Sequence, residues 1–169
     1  LNEKYFYKGL KKTSNSSYKP RPRFNSNDIK TVVDLMLKSK KPIFYCGGGV
    51  INSGPDACNI LTKLIKKTQF PCTNTLMGLG CFPATDKQFI GMLGMHGTYE
   101  ANLAMHDSDL IIAVGSRFDD RVTGNLSKFS PYAKKVQIDI DLSSINKNVK
   151  VDMALIGDVK EIINLIYLE

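Results

Sequence analysis

A chain of 169 residues with 43% apolar side chains can bury one sizeable core and gives no reason for more than one domain plus an arm. Its net charge of +7 comes from lysines spread along the chain, with much of the excess in the first 23 residues, so a solvated basic surface accounts for it and no nucleic-acid partner is indicated. No run approaches the roughly 20 apolar residues of a membrane helix, and the N-terminus lacks the continuous apolar core of a secretory signal, so the expectation is a soluble protein with no membrane partner.

The chain opens at Leu1 without an initiator methionine and runs through an aromatic stretch into the polar residues 14–17, which reads as the start of an excised piece. Residues 1–26, with Pro20 and Pro22 flanking Arg21, carry no sustained periodicity and are expected to form an interdomain linker or strap. The folded unit should then span residues 27–169. Ser26 or Asn27 is placed to cap a helix whose apolar residues Ile29, Val32, Val33 and Met36 lie on one face. Lys41 and Pro42 end it. Ile43-Phe44-Tyr45-Cys46 reads as a buried parallel strand leading into Gly47-Gly48-Gly49. Ser53-Gly54-Pro55 then supplies a cap and an early proline to a second helix striped by Ala57, Ile60, Leu61, Leu64 and Ile65.

Strands are expected over 70–74 and 89–93, a helix over 98–106, and the strongest strand at Leu110-Ile111-Ile112-Ala113-Val114. Residues 135–140 and 151–156 read as two further strands, and Asp158 with Glu161 as a capping-box-like start to a last helix lined by Val159, Ile162, Ile163 and Ile166. Parallel strands need crossovers, and crossovers cover both faces. The alternation therefore predicts an α/β fold: an open, mostly parallel six-stranded sheet with helices on both faces. Ligands of such sheets bind at the carboxyl ends of the strands, where the glycine-bearing loops fall.

Two of those loops, Met92-Leu93-Gly94-Met95-His96-Gly97 and Gly115-Ser116-Arg117-Phe118-Asp119-Asp120-Arg121-Val122-Thr123-Gly124, offer backbone amides, one imidazole and two guanidinium groups to a phosphate-bearing ligand. Arg117 and Arg121 beside Asp119 and Asp120 suit either a surface salt-bridge cluster or a pyrophosphate clamp whose guanidinium is held by adjacent acids. Gly47-Gly48-Gly49 either admits a ligand to the backbone or supplies positive φ angles. After Thr75, Leu76 and Met77 suit the core or a flat ring equally. Asp139 and Asp141 alternate with Ile138 and Ile140 at a strand end and suit ribose hydroxyls or structural caps. The triplet is no Gly-x-Gly-x-x-Gly fingerprint, since Asn52 stands at its final glycine position, and no Gly-Lys-Ser/Thr is present, so neither an ordinary NAD site nor an ATPase is supported. Cys46, Cys58, Cys72 and Cys81 show no Cys-x-x-Cys spacing, and His96 and His106 complete neither a zinc site nor a triad. The reading is reduced intracellular thiols, no metal site and no catalytic residue in this segment.

As an ordered set these motifs, from Gly47-Gly48-Gly49 and Thr75-Leu76-Met77-Gly78-Leu79-Gly80 to Gly157-Asp158-Val159, resemble the central, Rossmann-like domain of the acetolactate (acetohydroxyacid) synthase family. The resemblance covers nearly everything from Lys41 to Val159. It implies a parent enzyme that condenses two 2-oxo acids with loss of carbon dioxide, in branched-chain amino-acid synthesis, using thiamine diphosphate and magnesium bound outside this segment. It further implies FAD in this domain, with no net redox part in the reaction. By resemblance Gly47, Gly48, Gly49, Thr75, Leu76, Met77, Leu93, Gly94, Met95 and His96 line the flavin and ribityl chain. Gly115, Arg117, Asp119, Arg121 and Val122 follow the diphosphate, and Asp139, Ile140, Gly157 and Asp158 the adenosine, while Asp120 and Arg121 border the substrate channel. The implied partners are the flanking thiamine-binding domains, further copies of the parent and a regulatory small subunit, in the cytoplasm or, in a eukaryote, a plastid. The neighbouring domains with their activating glutamate and Gly-Asp-Gly motif have no counterpart in this sequence, so the segment by itself should be inactive. Two other readings stand beside this one: another thiamine-diphosphate enzyme holding ADP or FAD, such as an oxalyl-CoA decarboxylase or glyoxylate carboligase, and a non-catalytic scaffold whose basic arm binds an acidic partner.

Overall fold

The computed structural model describes residues 24–169, so most of the linker expected over 1–26 lies outside the described residues. In chain order the described part contains α1 (Ser26–Lys38), β1 (Pro42–Cys46), α2 (Gly48–Asn52), α3 (Pro55–Thr68), β2 (Cys72–Asn74), β3 (Phe89–Met92), α4 (Tyr99–Asp107), β4 (Leu110–Val114), α5 (Asp120–Thr123), β5 (Lys134–Asp139), β6 (Met153–Ile156) and α6 (Val159–Leu168). The six strands form one sheet in the order β3-β2-β1-β4-β5-β6, every neighbouring pair parallel. This is the doubly wound arrangement expected from the alternation of strands and helices.

The helices divide unevenly between the faces. Ile29, Val32 and Met36 of α1, Leu61, Leu64 and Ile65 of α3, and Ile162, Ile163 and Ile166 of α6 pack with Phe44, Ile112 and Ile138 on one face. The other face holds a smaller cluster, in which Ala101 and Met105 of α4 cover Ile43, Tyr45, Ile111 and Ala113. Among the described residues no helix is long and apolar enough to cross a membrane.

Local hydrogen bonding moves several element ends. The cap of α1 is Asn25, not Ser26 or Asn27: its side chain accepts from the Asp28 amide at 3.0 Å while Asp28 accepts from the Asn25 amide at 2.8 Å, a reciprocal box that fixes the start one residue earlier. Gly54, at φ +96°, precedes Pro55 at the head of α3, and Ser53 instead donates to Asp158 at 2.9 Å. Asp158 does cap α6, but its carboxylate accepts from the Lys160 amide at 2.8 Å rather than forming a box with Glu161. β2 begins at Cys72 rather than at residue 70, because Pro71 has no N–H to give the ladder.

At the amino-terminal end of the sheet, Asp109 accepts from the Ser39 hydroxyl and from the amides of Lys40 and Lys41 at 2.8 and 2.9 Å, tying the α1–β1 connection to the start of β4. Partial burial works to raise its pKa, and the hydrogen bonds outweigh that and hold it below the ordinary carboxylate value. A depressed folded-state pKa stabilises at neutral pH and loses its effect as pH falls through that pKa. Asp109→Ala should therefore lower stability at pH 7 by about 1–2 kcal/mol, with the gap from the parent closing toward pH 3, as denaturant melts at the two pH values would measure.

Candidate functional site

Between β1 and β4 the chain reverses its direction of winding: connections after β1 lead to β2 and β3, and those after β4 lead to β5 and β6. Loops leaving the two central strands diverge at such a switch point and open a crevice at their carboxyl ends. Here a cleft of about 540 Å³ lies there, bordered by Gly47 and Gly48, by Thr75, Leu76 and Met77, and by the stretch from Ser116 to Val122. A larger concavity of about 720 Å³, between α4 and the loops before β1 and β2, sits at the amino-terminal end of the sheet, where it meets none of the glycine loops.

The glycine triplet brings backbone without side chains to the cleft at Gly47 and Gly48, and it has a further job that the sequence reading did not weigh. Gly47 donates its amide to Val114 and Gly49 to Gly115, both at 2.9 Å, so two of the three amides hold the loops together and are not offered to a ligand. Nor is positive φ the reason, since Gly47 lies at φ −119°. A Cβ on Gly47 would stand 2.4 Å from the Gly115 carbonyl oxygen, and one on Gly49 would stand 2.7 Å from the Gly115 Cα. The two central loops touch backbone to backbone, and only glycine allows it. Gly115 is itself at φ +55°.

One wall of the cleft is apolar. Thr75 follows β2 and its hydroxyl accepts from the Gly78 amide at 3.0 Å, closing a 3-10 turn over Leu76–Gly78. That turn stands Leu76 and Met77 outward, 69% and 74% exposed, which excludes the core reading of both. The opposite wall is charged. Ser116 and Phe118 point inward, 3% and 4% exposed, so the alternating residues Arg117 and Asp119 point outward and pair at 3.4 Å. Asp119 caps α5, and Asp120 and Arg121 begin that helix on the cleft rim. A hydrogen bond with the Asp120 carboxyl, the Arg121 amide and both neighbouring guanidinium charges hold Asp119 below its ordinary pKa. Val122 completes this wall.

The remaining sequence candidates lie outside the cleft. Leu93 is 4% exposed and belongs to the core beneath α4. Gly94, at φ +99°, has its peptide held at both ends by Asn102 of α4, at 2.9 and 3.0 Å. Met95 donates its amide to the Arg121 carbonyl at 3.0 Å while its side chain and His96 are exposed, so this loop buttresses α5. Asp139 ends β5 with Ile140 just beyond it, one residue short of the expected strand end, and Gly157 and Asp158 follow β6, about 10 and 14 Å from β1 at the ordinary strand spacing. Asp139 is 8% exposed and burial raises its pKa, whereas Ile140 is 55% exposed. Gly157 packs against Phe24 and Ile162. The Asp158 carboxylate is engaged by Ser53 and Lys160. Sequence reasoning missed Asn102, Tyr45, Gln137 and Asn148. The one signal of Asn102, Tyr45 and Gln137 is a polar group within a strand or helix, which spacing alone does not separate from a surface residue, and Asn148, in the loop between β5 and β6, carries no signal at all.

The sequence profile of the family described as "Thiamine pyrophosphate enzyme, central domain" matches residues 29–166. The chain belongs to the thiamine pyrophosphate enzyme family. Within that family it is 46% identical over 162 residues to the acetolactate synthase large subunit of Haemophilus influenzae, covering 96% of this chain and 28% of the relative. Its identity to the large subunit of Buchnera aphidicola subsp. Schizaphis graminum is 48% over 147 residues, 87% of this chain and 25% of that one. The acetolactate synthase isozyme 3 large subunit of Escherichia coli is 46% identical over 148 residues, 87% and 25% of the two chains. The chain thus spans about a quarter of the length of these relatives and corresponds to the central domain of a thiamine pyrophosphate enzyme. Among the described residues no group of three or more His, Cys, Asp or Glu side chains is placed to hold a metal ion.

Proposed function

We propose that residues 27–169 are the FAD-binding central domain of an acetolactate synthase large subunit, and that residues 1–26 are the strap leading into it. The observation that carries this reading is the cleft at the β1/β4 switch point, with an exposed apolar shelf on one side and Arg117 held by Asp119 on the other. Leu76 and Met77 would take the flat ring. Arg117 would meet the diphosphate as a bidentate donor, and the acid-bearing ends of β5 and β6 are far enough out for an adenosine in an extended pose. FAD in this family takes no net redox part, so the domain's own contribution is binding and orientation. By the resemblance, thiamine diphosphate and its metal belong to a Gly-Asp-Gly motif that has no counterpart in this sequence. We assign both to flanking domains, together with the condensation of pyruvate with pyruvate or 2-oxobutanoate, and assign the parent a cytoplasmic homo-oligomer with a regulatory small subunit. The segment by itself should be inactive.

Titration of the chain with FAD, followed by flavin fluorescence with ADP and NAD as competitors, tests the reading. FAD should bind saturably, and Arg117→Ala should weaken it about 10- to 100-fold with little change in melting temperature, since the exposed Arg117–Asp119 pair adds at most about 1 kcal/mol to folding. ADP binding as tightly as FAD would point to another thiamine-diphosphate enzyme, and no nucleotide binding, here or in the full-length enzyme, to a scaffold.

A further inference from the structure

The stretch 116–119 belongs to no helix or strand, yet its backbone is fixed at three consecutive carbonyls by side chains from three different parts of the chain. Gln137 on β5 donates its Nε2 to the Ser116 carbonyl at 3.3 Å, Tyr45 on β1 donates its hydroxyl to the Arg117 carbonyl at 2.8 Å, and Asn148 donates its Nδ2 to the Phe118 carbonyl at 2.7 Å. The Ser116 hydroxyl returns a bond to the Tyr45 carbonyl at 2.9 Å. Placing the loop needs less than this, because the Phe118 ring is already anchored between Tyr45 and Phe129, with centroids 5.6 and 6.0 Å away. What the three donors add is the orientation of successive peptide planes, and that orientation keeps Ser116 and Phe118 inward and Arg117 and Asp119 outward.

We infer that Tyr45, Gln137 and Asn148 are positioning residues that hold the Arg117 backbone and so set the affinity of the cleft for a diphosphate. This rests on the proposed nucleotide reading. Arg117 is exposed and among the described residues its guanidinium has a single partner, Asp119 at 3.4 Å, so the aim of the side chain depends on the peptide that carries it. Preorganised donors bind anions more tightly than donors that must first be ordered. The Tyr45 phenol, fully buried and with its pKa raised by burial and then by the Asp119 charge, keeps its proton, so the clamp does not titrate.

The test uses Tyr45→Phe, which keeps the ring and removes only the donor, and Asn148→Ala at an exposed position. Each should weaken FAD and inorganic pyrophosphate about fivefold, the equivalent of one hydrogen bond, while leaving riboflavin, which carries no phosphate, unchanged. In an Arg117→Ala background both effects should vanish, because the clamp acts only through that guanidinium. Equal losses with and without Arg117, or unaltered pyrophosphate affinity in both variants while Arg117→Ala abolishes binding, would overturn the clamp alone. A parent chain that binds neither FAD nor pyrophosphate would overturn the nucleotide reading and the clamp together.

Discussion

Gly47→Ala should destabilise the domain by about 3 kcal/mol and abolish its nucleotide affinity, the larger part of the effect coming from a contact made by no side chain at all. The added methyl would lie 2.4 Å from the Gly115 carbonyl oxygen and 2.6 Å from the Ser116 Cβ, and neither neighbour can withdraw easily. Gly115 donates its amide to Ile138 at 2.8 Å and accepts from Gly49 at 2.9 Å, and the Ser116 hydroxyl is bonded to the Tyr45 carbonyl. Separating the loops would break these bonds and swing Arg117 away from the Met77 shelf. Thermal unfolding should show a drop on the order of 10 °C, and FAD titration a loss larger than that of Arg117→Ala. Gly54→Ala is the contrasting control. Nothing lies within 4 Å of its added methyl, so its penalty is confined to the positive φ of +96° and the cleft keeps its shape. A Gly47→Ala domain as stable as the parent would mean that the two central loops are not in contact.

Ile112→Ala and Ile111→Ala should separate the two faces of the sheet. Both residues are fully buried on β4, one residue apart, and therefore point to opposite sides. Ile112 packs in the cluster covered by α1, α3 and α6, whereas Ile111 lies beneath α4 in the smaller one. Removing three carbons from a site walled by long helices leaves a cavity that little can refill, and a loss near 4 kcal/mol is expected for Ile112→Ala. The thinner layer over Ile111 can collapse further, so about 2–3 kcal/mol is expected there. Urea titration of both variants measures the difference, and equal losses would show that the second face is packed as firmly as the first.

Much of the fold was legible because buried parallel strands are short, continuous apolar runs and amphipathic helices repeat every three or four residues. Leu110–Val114 reads identically in sequence and structure. Strand order was not legible, since it depends on which apolar run pairs with which, and that is settled only when the helices pack. At the site, the charged stretch from Arg117 to Arg121 could be found from position alone, because it follows the strongest strand. The role of the glycine triplet could not: φ freedom, access for a ligand and contact with a second backbone all select glycine, and only the placement of Gly115 separates them. Leu93 shows the converse, an apolar residue in a glycine-bearing loop whose side chain turns to the core while its neighbours Gly94 and Met95 bond to α4 and α5 respectively. The donors at Tyr45, Gln137 and Asn148 come from segments as much as 103 residues apart, from 45 to 148, so no window along the chain contains their common target.

The strand order also sets a timetable for the nascent chain. β1 is aligned with β4 sixty-eight positions downstream, from 42 to 110, while its other neighbour, β2, follows within twenty-eight, from 44 to 72. At about 5–20 residues per second of synthesis, β1, β2 and β3 leave the ribosome some seconds before β4 can close against them. During that interval the apolar edge of Ile43, Phe44, Tyr45 and Cys46 is open to any passing strand, which makes it a natural point for chaperone capture and for aggregation when translation stalls. The crevice between β1 and β4 comes into being only at the end of that interval, so a ligand held there can stabilise the finished sheet but cannot guide its first half.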